Sequence, residues 1–212
     1  GLFPDVGGTY FLPRCPGETG MYMGLTGARL NAADALYAGV ATHAVASSDF
    51  AQLRTRLIED KNVEAVLDEL AANPGDGKLS AIRETVDHCF AADTVEAILE
   101  NLETLTGDNA GWGEKTAKTI STKSPSSLKI TCRQIREGAK HDFEDCMRLE
   151  YRMVNRIFRA KDFFEGTRAL IVDKDNRPQW NPVSLDKVSE SLVDEYFADL
   201  GKNELDLGNL NK

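Results

Sequence analysis

Apolar residues recur at three- and four-residue spacing in segment after segment of this chain, a periodicity that leaves room for little except helices. Strand patterns are almost missing. Pro16 suits a helix start and Gly27 a stop around Met21, Tyr22 and Leu25, and Asn31 reads as the cap of a short helix ended by Gly39. Ala41 to Val45 is a short β-like run. Stripes at Phe50, Leu53 and Leu57 and at Val63, Val66, Leu67 and Leu70 predict two helices before Asn73-Pro74-Gly75-Asp76-Gly77 breaks the pattern. Val95, Ile98, Leu99, Leu102 and Leu105 predict another, interrupted over Thr106 to Gly113. Ser124-Pro125 then opens a helix with Leu128, Cys132 and Ile135 on one face, closed by Gly138.

The segment from about Asp142 to Arg159 is the most informative of these. Phe143, Cys146, Met147, Tyr151, Val154, Ile157 and Phe158 form an apolar stripe, and Glu150 lies inside it. A carboxylate there needs a partner, because an unpaired buried charge is very costly. An ion pair between helices and a second catalytic carboxylate are both open at this stage.

Composition narrows the function by exclusion. With 42% hydrophobic and 28% charged residues and no apolar run long enough to cross a bilayer, a chain of this kind buries a core and needs no membrane. The net charge of -9, from 25 Lys plus Arg against 34 Asp plus Glu, argues against nucleic acid as a partner. Basic residues gather locally, as Lys129, Arg133 and Arg136 on one helix and Arg148, Arg152, Arg156 and Arg159 on another. Each group reads either as a solvated, salt-bridged face or as an anion site. Cys15, Cys89, Cys132 and Cys146 show no paired spacing, and His43, His88 and His141 are scattered, so no metal site and no Ser/His/Asp triad is implied. Reduced, buried thiols point to an intracellular protein.

The chain opens on Gly1-Leu2-Phe3-Pro4-Asp5-Val6-Gly7-Gly8-Thr9-Tyr10-Phe11-Leu12-Pro13-Arg14, apolar and glycine-rich with a single carboxylate. Domains seldom begin this way, so the stretch reads as the continuation of something upstream, and Leu2, Phe3, Val6, Tyr10 and Phe11 are expected to form an exposed apolar patch. Pro4 and the Gly7-Gly8 pair hold Asp5 on a constrained turn. Asp5 reads either as the cap of a short helix after Gly8 or as a functional carboxylate.

The opening octet, together with Leu25-Thr26-Gly27-Ala28-Arg29-Leu30 and Ala38-Gly39-Val40-Ala41-Thr42-His43, resembles the 3-hydroxyisobutyryl-CoA hydrolase branch of the enoyl-CoA hydratase/isomerase (crotonase) superfamily. Ser124-Pro125-Ser126-Ser127-Leu128-Lys129, Leu149-Glu150-Tyr151-Arg152, Asp162-Phe163-Phe164-Glu165-Gly166-Thr167-Arg168-Ala169 and Pro178-Gln179-Trp180 extend the likeness to the far end. The resemblance implies an α/β crotonase fold of which this chain is the helix-rich C-terminal part, mostly α. Residues 1–45 are expected to end the core, including the Asp5 turn, and 46–212 to form a helical region covering the active site.

The implied chemistry is hydrolysis of a β-hydroxyacyl-CoA thioester in valine catabolism. In such a site two backbone amides stabilise the oxyanion and a pair of carboxylates handles water and substrate. Asp5 stands where the family's second carboxylate stands. The first carboxylate and the oxyanion amides are implied to lie upstream, so the chain alone is expected to be inactive. Lys174 stands one residue from the family's basic contact near the nucleotide end of coenzyme A, with Leu170 in place of a Phe, and a salt-bridged surface role is equally open. No cofactor is implied, coenzyme A being part of the substrate. The partners implied are an acyl-CoA, the N-terminal half of the same fold and, left open, a second copy of the chain. The location is cytoplasmic in a bacterium or the mitochondrial matrix in a eukaryote. A hydratase or isomerase activity, or a non-catalytic helical module completing a second chain, are the alternatives.

Overall fold

The computed structural model describes residues 1–60 and 62–208, and its regular structure is almost wholly helical. In chain order the helices are α1 (Gly8–Phe11), α2 (Thr19–Thr26), α3 (Ala32–Tyr37), α4 (Phe50–Glu59), α5 (Val63–Leu70), α6 (Arg83–Phe90), α7 (Val95–Glu103), α8 (Ala110–Ser121), α9 (Pro125–Gly138), α10 (Phe143–Ile157), α11 (Lys161–Thr167) and α12 (Glu190–Phe197). Among the described residues β pairing is confined to one antiparallel bridge between Val45 and Ala71. No helix among them is long and apolar enough to cross a membrane. The chain forms two compact units, Arg29–Glu84 and the rest, so the division expected at 45/46 falls inside the smaller unit.

In the smaller unit Asn31 caps α3 by accepting from the Asp34 amide at 2.8 Å. The buried Asp34 carboxylate in turn accepts from the amides of Lys78 and Leu79, at 2.6 and 2.8 Å, which holds the loop after α5 against α3. Val66 is fully buried, but α4 buries none of its residues: Phe50 and Leu57, expected on a core face, are exposed.

In the larger unit the two longest helices, α9 and α10, start at the caps their sequence specifies. Ser124 accepts from the Ser127 amide with Pro125 at the first position, and Asp142 accepts from the Asp145 amide. α9, α10 and α12 enclose a core of Ile130, Leu149, Met153, Ile157, Val188, Val193, Tyr196 and Phe197. Phe3 lies in that core, 3% exposed, so the expected apolar patch at the start of the chain is corrected in part: Leu2 and Val6 are exposed, Tyr10 and Phe11 are half-buried, and Phe3 is buried.

The buried stripe of α10 also differs from the expected one. It runs through Cys146, Leu149, Glu150, Met153 and Ile157, whereas Phe143 and Phe158 are exposed. α10 is apolar on more than one side, and the core selects the face that packs on α9 and α12. Gly113, expected within a break, lies inside α8, where an added Cβ would fall 2.4 Å from the Leu102 carbonyl oxygen; its lack of a side chain lets α7 and α8 approach.

The first basic cluster and half of the second resolve into ion pairs, while Arg156 donates to the carbonyls of Arg152 and Tyr196. Lys129 meets Glu96 at 2.8 Å, Arg133 meets Glu137 at 2.7 Å, Arg136 meets Glu18 at 2.9 Å and Arg152 meets Glu204 at 3.0 Å. Three of the cations that wall a recess of about 540 Å³ between α7, α9 and α12, Lys129, Arg133 and Arg136, therefore already have partners. All four cysteines are free and buried, and burial raises the Cys15 and Cys132 thiols to about 11.

Candidate active site

Asp5 lies on a tight turn in which the Gly8 amide donates to the Asp5 carbonyl at 3.0 Å. Both central residues have positive φ, 55° at Val6 and 89° at Gly7. Glycine adopts that conformation freely, but a β-branched residue does so at a cost of about 1–3 kcal/mol. The N-cap of α1 is Gly7 and no side chain caps it. Asp5 is therefore not the cap, and among the described residues no hydrogen bond or ion pair reaches its exposed carboxylate.

The capping task falls to Glu150. Its Oε2 accepts from the Gly7 amide at 3.1 Å and its Oε1 from the Thr9 amide at 2.9 Å. These donors have no partner within a helix's first turn, and a carboxylate satisfies both. Glu150 is 8% exposed, so the partner that its place in an apolar stripe demanded is neither a cation nor a substrate but the backbone beside Asp5. Gln134, fully buried on α9, completes the clamp: its Nε2 donates to the Pro4 carbonyl at 2.5 Å and to Thr9 Oγ1 at 2.7 Å. At Gly138 an added Cβ would lie 2.0 Å from the Thr9 carbonyl oxygen, so glycine there lets α1 rest on α9. Arg14 donates to the Gly138 carbonyl at 3.2 Å and to the His141 carbonyl at 2.8 Å, tying the end of the same segment to the end of α9.

The blocks around Asp162 meet in a second knot. Asp162, 5% exposed, accepts from Ser124 Oγ at 2.5 Å and from the Asn181 amide at 2.8 Å. Gly166 leaves room for the Trp180 ring, and the Trp180 indole donates to the Thr122 carbonyl at 3.0 Å. Glu165 pairs with Arg168 at 2.8 Å and accepts from the Gln179 amide at 2.8 Å. Most of Asp162 to Arg168 thus works as a fastener.

Beyond it the helix widens over Arg168–Val172 before Lys174 at φ 57°. Arg168 holds both neighbours of Lys174, Asp173 and Asp175, each at 2.7 Å. Lys174 itself is exposed, and no hydrogen bond or ion pair of its ammonium is found among the described residues. The salt-bridged surface role is thereby taken from Lys174 and given to Arg168. No hydrogen bond or ion pair joins Lys174 to Asp5 among those residues. Gln134 was missed by reading the sequence, although its position three residues after Thr131 and four before Gly138 marks a small and polar strip on α9.

Arg168, with the Gln179 amide, holds the Glu165 carboxyl down at about 2, below its ordinary 4.5. A folded pKa below the unfolded one gives stability that is complete above the unfolded value and lost as pH falls toward the folded one. The melting temperature of the wild type is therefore expected to exceed that of Glu165→Gln above pH 4.5, with the gap closing as pH falls to about 2. A gap that stays constant across that window in parallel melting curves would contradict it.

Residues 1–197 match the family model described as enoyl-CoA hydratase/isomerase, and the chain belongs to that family. It is the helix-rich part of the crotonase-type fold. It is 41% identical over 217 residues to "3-hydroxyisobutyryl-CoA hydrolase, mitochondrial" of Xenopus tropicalis, covering 98% of this chain and 56% of that protein. It is 42% identical over 208 residues to "3-hydroxyisobutyryl-CoA hydrolase 1" of Arabidopsis thaliana, covering 93% and 55%. The solved carnitinyl-CoA dehydratase of Mycobacterium thermoresistibile superposes with a TM-score of 0.88 at 36% identity, covering 97% of this chain and 58% of that one. The chain spans about half the length of the curated relatives it matches.

Proposed function

We propose that this chain is the C-terminal portion of a thioester hydrolase acting on a β-hydroxyacyl-CoA, with 3-hydroxyisobutyryl-CoA as its substrate in valine catabolism. The observation that carries this is the Asp5 turn. A carboxylate that caps no helix and, among the described residues, pairs with no cation, on a turn held by Glu150 and Gln134, is left free to accept from a ligand. The hydroxyl of a β-hydroxyacyl group or the attacking water fits that role. The names of the Xenopus and Arabidopsis relatives support this substrate over others of the family.

In this reading the N-terminal half of the same fold supplies a second carboxylate and the amides that stabilise the thioester oxyanion. Water adds to the thioester carbonyl, the carbon–sulfur bond breaks, and coenzyme A leaves as the free thiol with the 3-hydroxy acid as co-product. Lys174, without an ion pair among the described residues, is assigned to a phosphate of coenzyme A. Self-association belongs to the same reading, as does a matrix location in a eukaryote, in line with the "mitochondrial" of the Xenopus relative's name. A hydratase is the second reading, favoured by the solved dehydratase.

The test is direct. The complete enzyme, given 3-hydroxyisobutyryl-CoA and a 2-enoyl-CoA in parallel, is expected to release free thiol from the first and to leave the double bond of the second intact. Hydration of the enoyl thioester without thiol release would replace the hydrolase reading with the second one.

A further inference from the structure

The turn that carries Asp5 is held in a conformation one of its own residues resists. Val6, the next residue, is β-branched and has φ 55°, and its side chain is 94% exposed, so no packing of that side chain holds it there. What holds the turn lies outside it. Phe3 is anchored in the core on one side, and on the other the Gly7 and Thr9 amides both end on Glu150. Gln134 fixes the Pro4 carbonyl between them. Asp5 is thus flanked by fixed points while its own carboxylate is bound by nothing among the described residues.

We propose that Glu150 is a positioning residue for Asp5: seated inside α10, its carboxylate holds the strained Val6-Gly7 turn closed and so sets where the Asp5 carboxylate stands. This rests on the reading of Asp5 as an active-site group. Two oxygens are used because two amides must be held at once, which a buried carboxylate does and an amide side chain does not. Gln at position 150 offers one acceptor oxygen and turns an NH2 group toward the other amide.

The complete enzyme carrying Glu150→Gln is accordingly expected to lose about ten- to a hundredfold in kcat, since a misplacement of about 1 Å can cost that much. Its KM is expected to stay within about twofold, because an interaction that acts in the transition state moves kcat and not ground-state binding. A second change separates positioning from mere stability. Val6→Asn puts at the strained position a residue that tolerates positive φ, and in the Glu150→Gln background it is expected to restore most of the lost kcat. In an Asp5→Asn background the Glu150→Gln change is expected to cost nothing further, as its effect passes through Asp5.

Should Glu150→Gln not fold, Gln134→Met is read in the same assays. It keeps the volume and removes the bonds to the Pro4 carbonyl and Thr9 Oγ1, and the Gln134 Oε1 it deletes has no partner to lose among the described residues. Unchanged kcat in the variant, no recovery with Val6→Asn, or a loss that simply adds to that of Asp5→Asn would each overturn the positioning role. Wild-type turnover in Asp5→Asn alone would instead overturn the assignment of Asp5 on which the proposal stands.

Discussion

Replacing Asp5 by Asn is expected, on the proposed hydrolase reading, to lower turnover of the complete protein about a hundred- to ten-thousandfold, the usual contribution of a general acid or base. The fold is expected to be indifferent. Asn keeps the size and polarity of the side chain, Gly7 is the N-cap of α1, and the amides that a capping Asp would serve already end on Glu150. No hydrogen bond or ion pair of the Asp5 carboxylate is there to be lost among the described residues. The change in stability should therefore stay within about 0.5 kcal/mol, as for surface substitutions that touch nothing. Steady-state kinetics beside a denaturation curve separate the outcomes. Full turnover in Asp5→Asn would remove the carboxylate from the chemistry, and a large loss of stability would mean that the side chain holds the turn after all.

How much of this could be read from the residues depends on distance along the chain. Caps and stops are local, so Asn31, Gly27, Ser124, Asp142 and the helices they bound were legible. That Glu150 needs a partner was also legible, because its neighbours at helical spacing are apolar. Which partner was not, since the amides of Gly7 and Thr9 lie more than 140 residues away and nothing at either end names the other. The same limit explains Phe3, whose burial depends on α9, α10 and α12 arriving around it. It explains α10 as well, where apolar residues on two sides left the choice of face to tertiary packing. At Lys174 the flanking aspartates suggested a salt-bridged lysine, but the guanidinium of Arg168, with its fixed fork of donors, binds both of them.

Loss of Asp162 is expected to cost more stability than any exposed ion pair in the chain. The Asp162 carboxylate takes the hydrogen of Ser124 Oγ, and Ser124 Oγ in turn accepts from the Ser127 amide at 3.2 Å, so one buried group orders the cap of α9 and, through the Asn181 amide, the loop beyond Trp180. Asp162→Ala leaves a hydroxyl and an amide without acceptors. At about 1–3 kcal/mol for each unsatisfied buried group, the expected loss is about 2–6 kcal/mol, whereas exposed pairs rarely exceed about 1 kcal/mol. Asp162→Asn, which retains one acceptor oxygen, should fall between the wild type and the alanine variant. The enzymatic consequence is expected to run the other way from that of Asp5. At temperatures where the alanine variant remains folded, kcat and KM should stay near wild type, because Asp162 is buried in a knot of backbone and hydroxyl partners and serves to fasten α9, α11 and the Asn181 loop. Urea denaturation and kinetics on the same preparation measure both quantities. A loss under about 1 kcal/mol would mean that water or a neighbouring carbonyl satisfies Ser124 and Asn181 without the carboxylate. A large fall in kcat at full folding would place Asp162 in the chemistry and transfer its block from fastener to site.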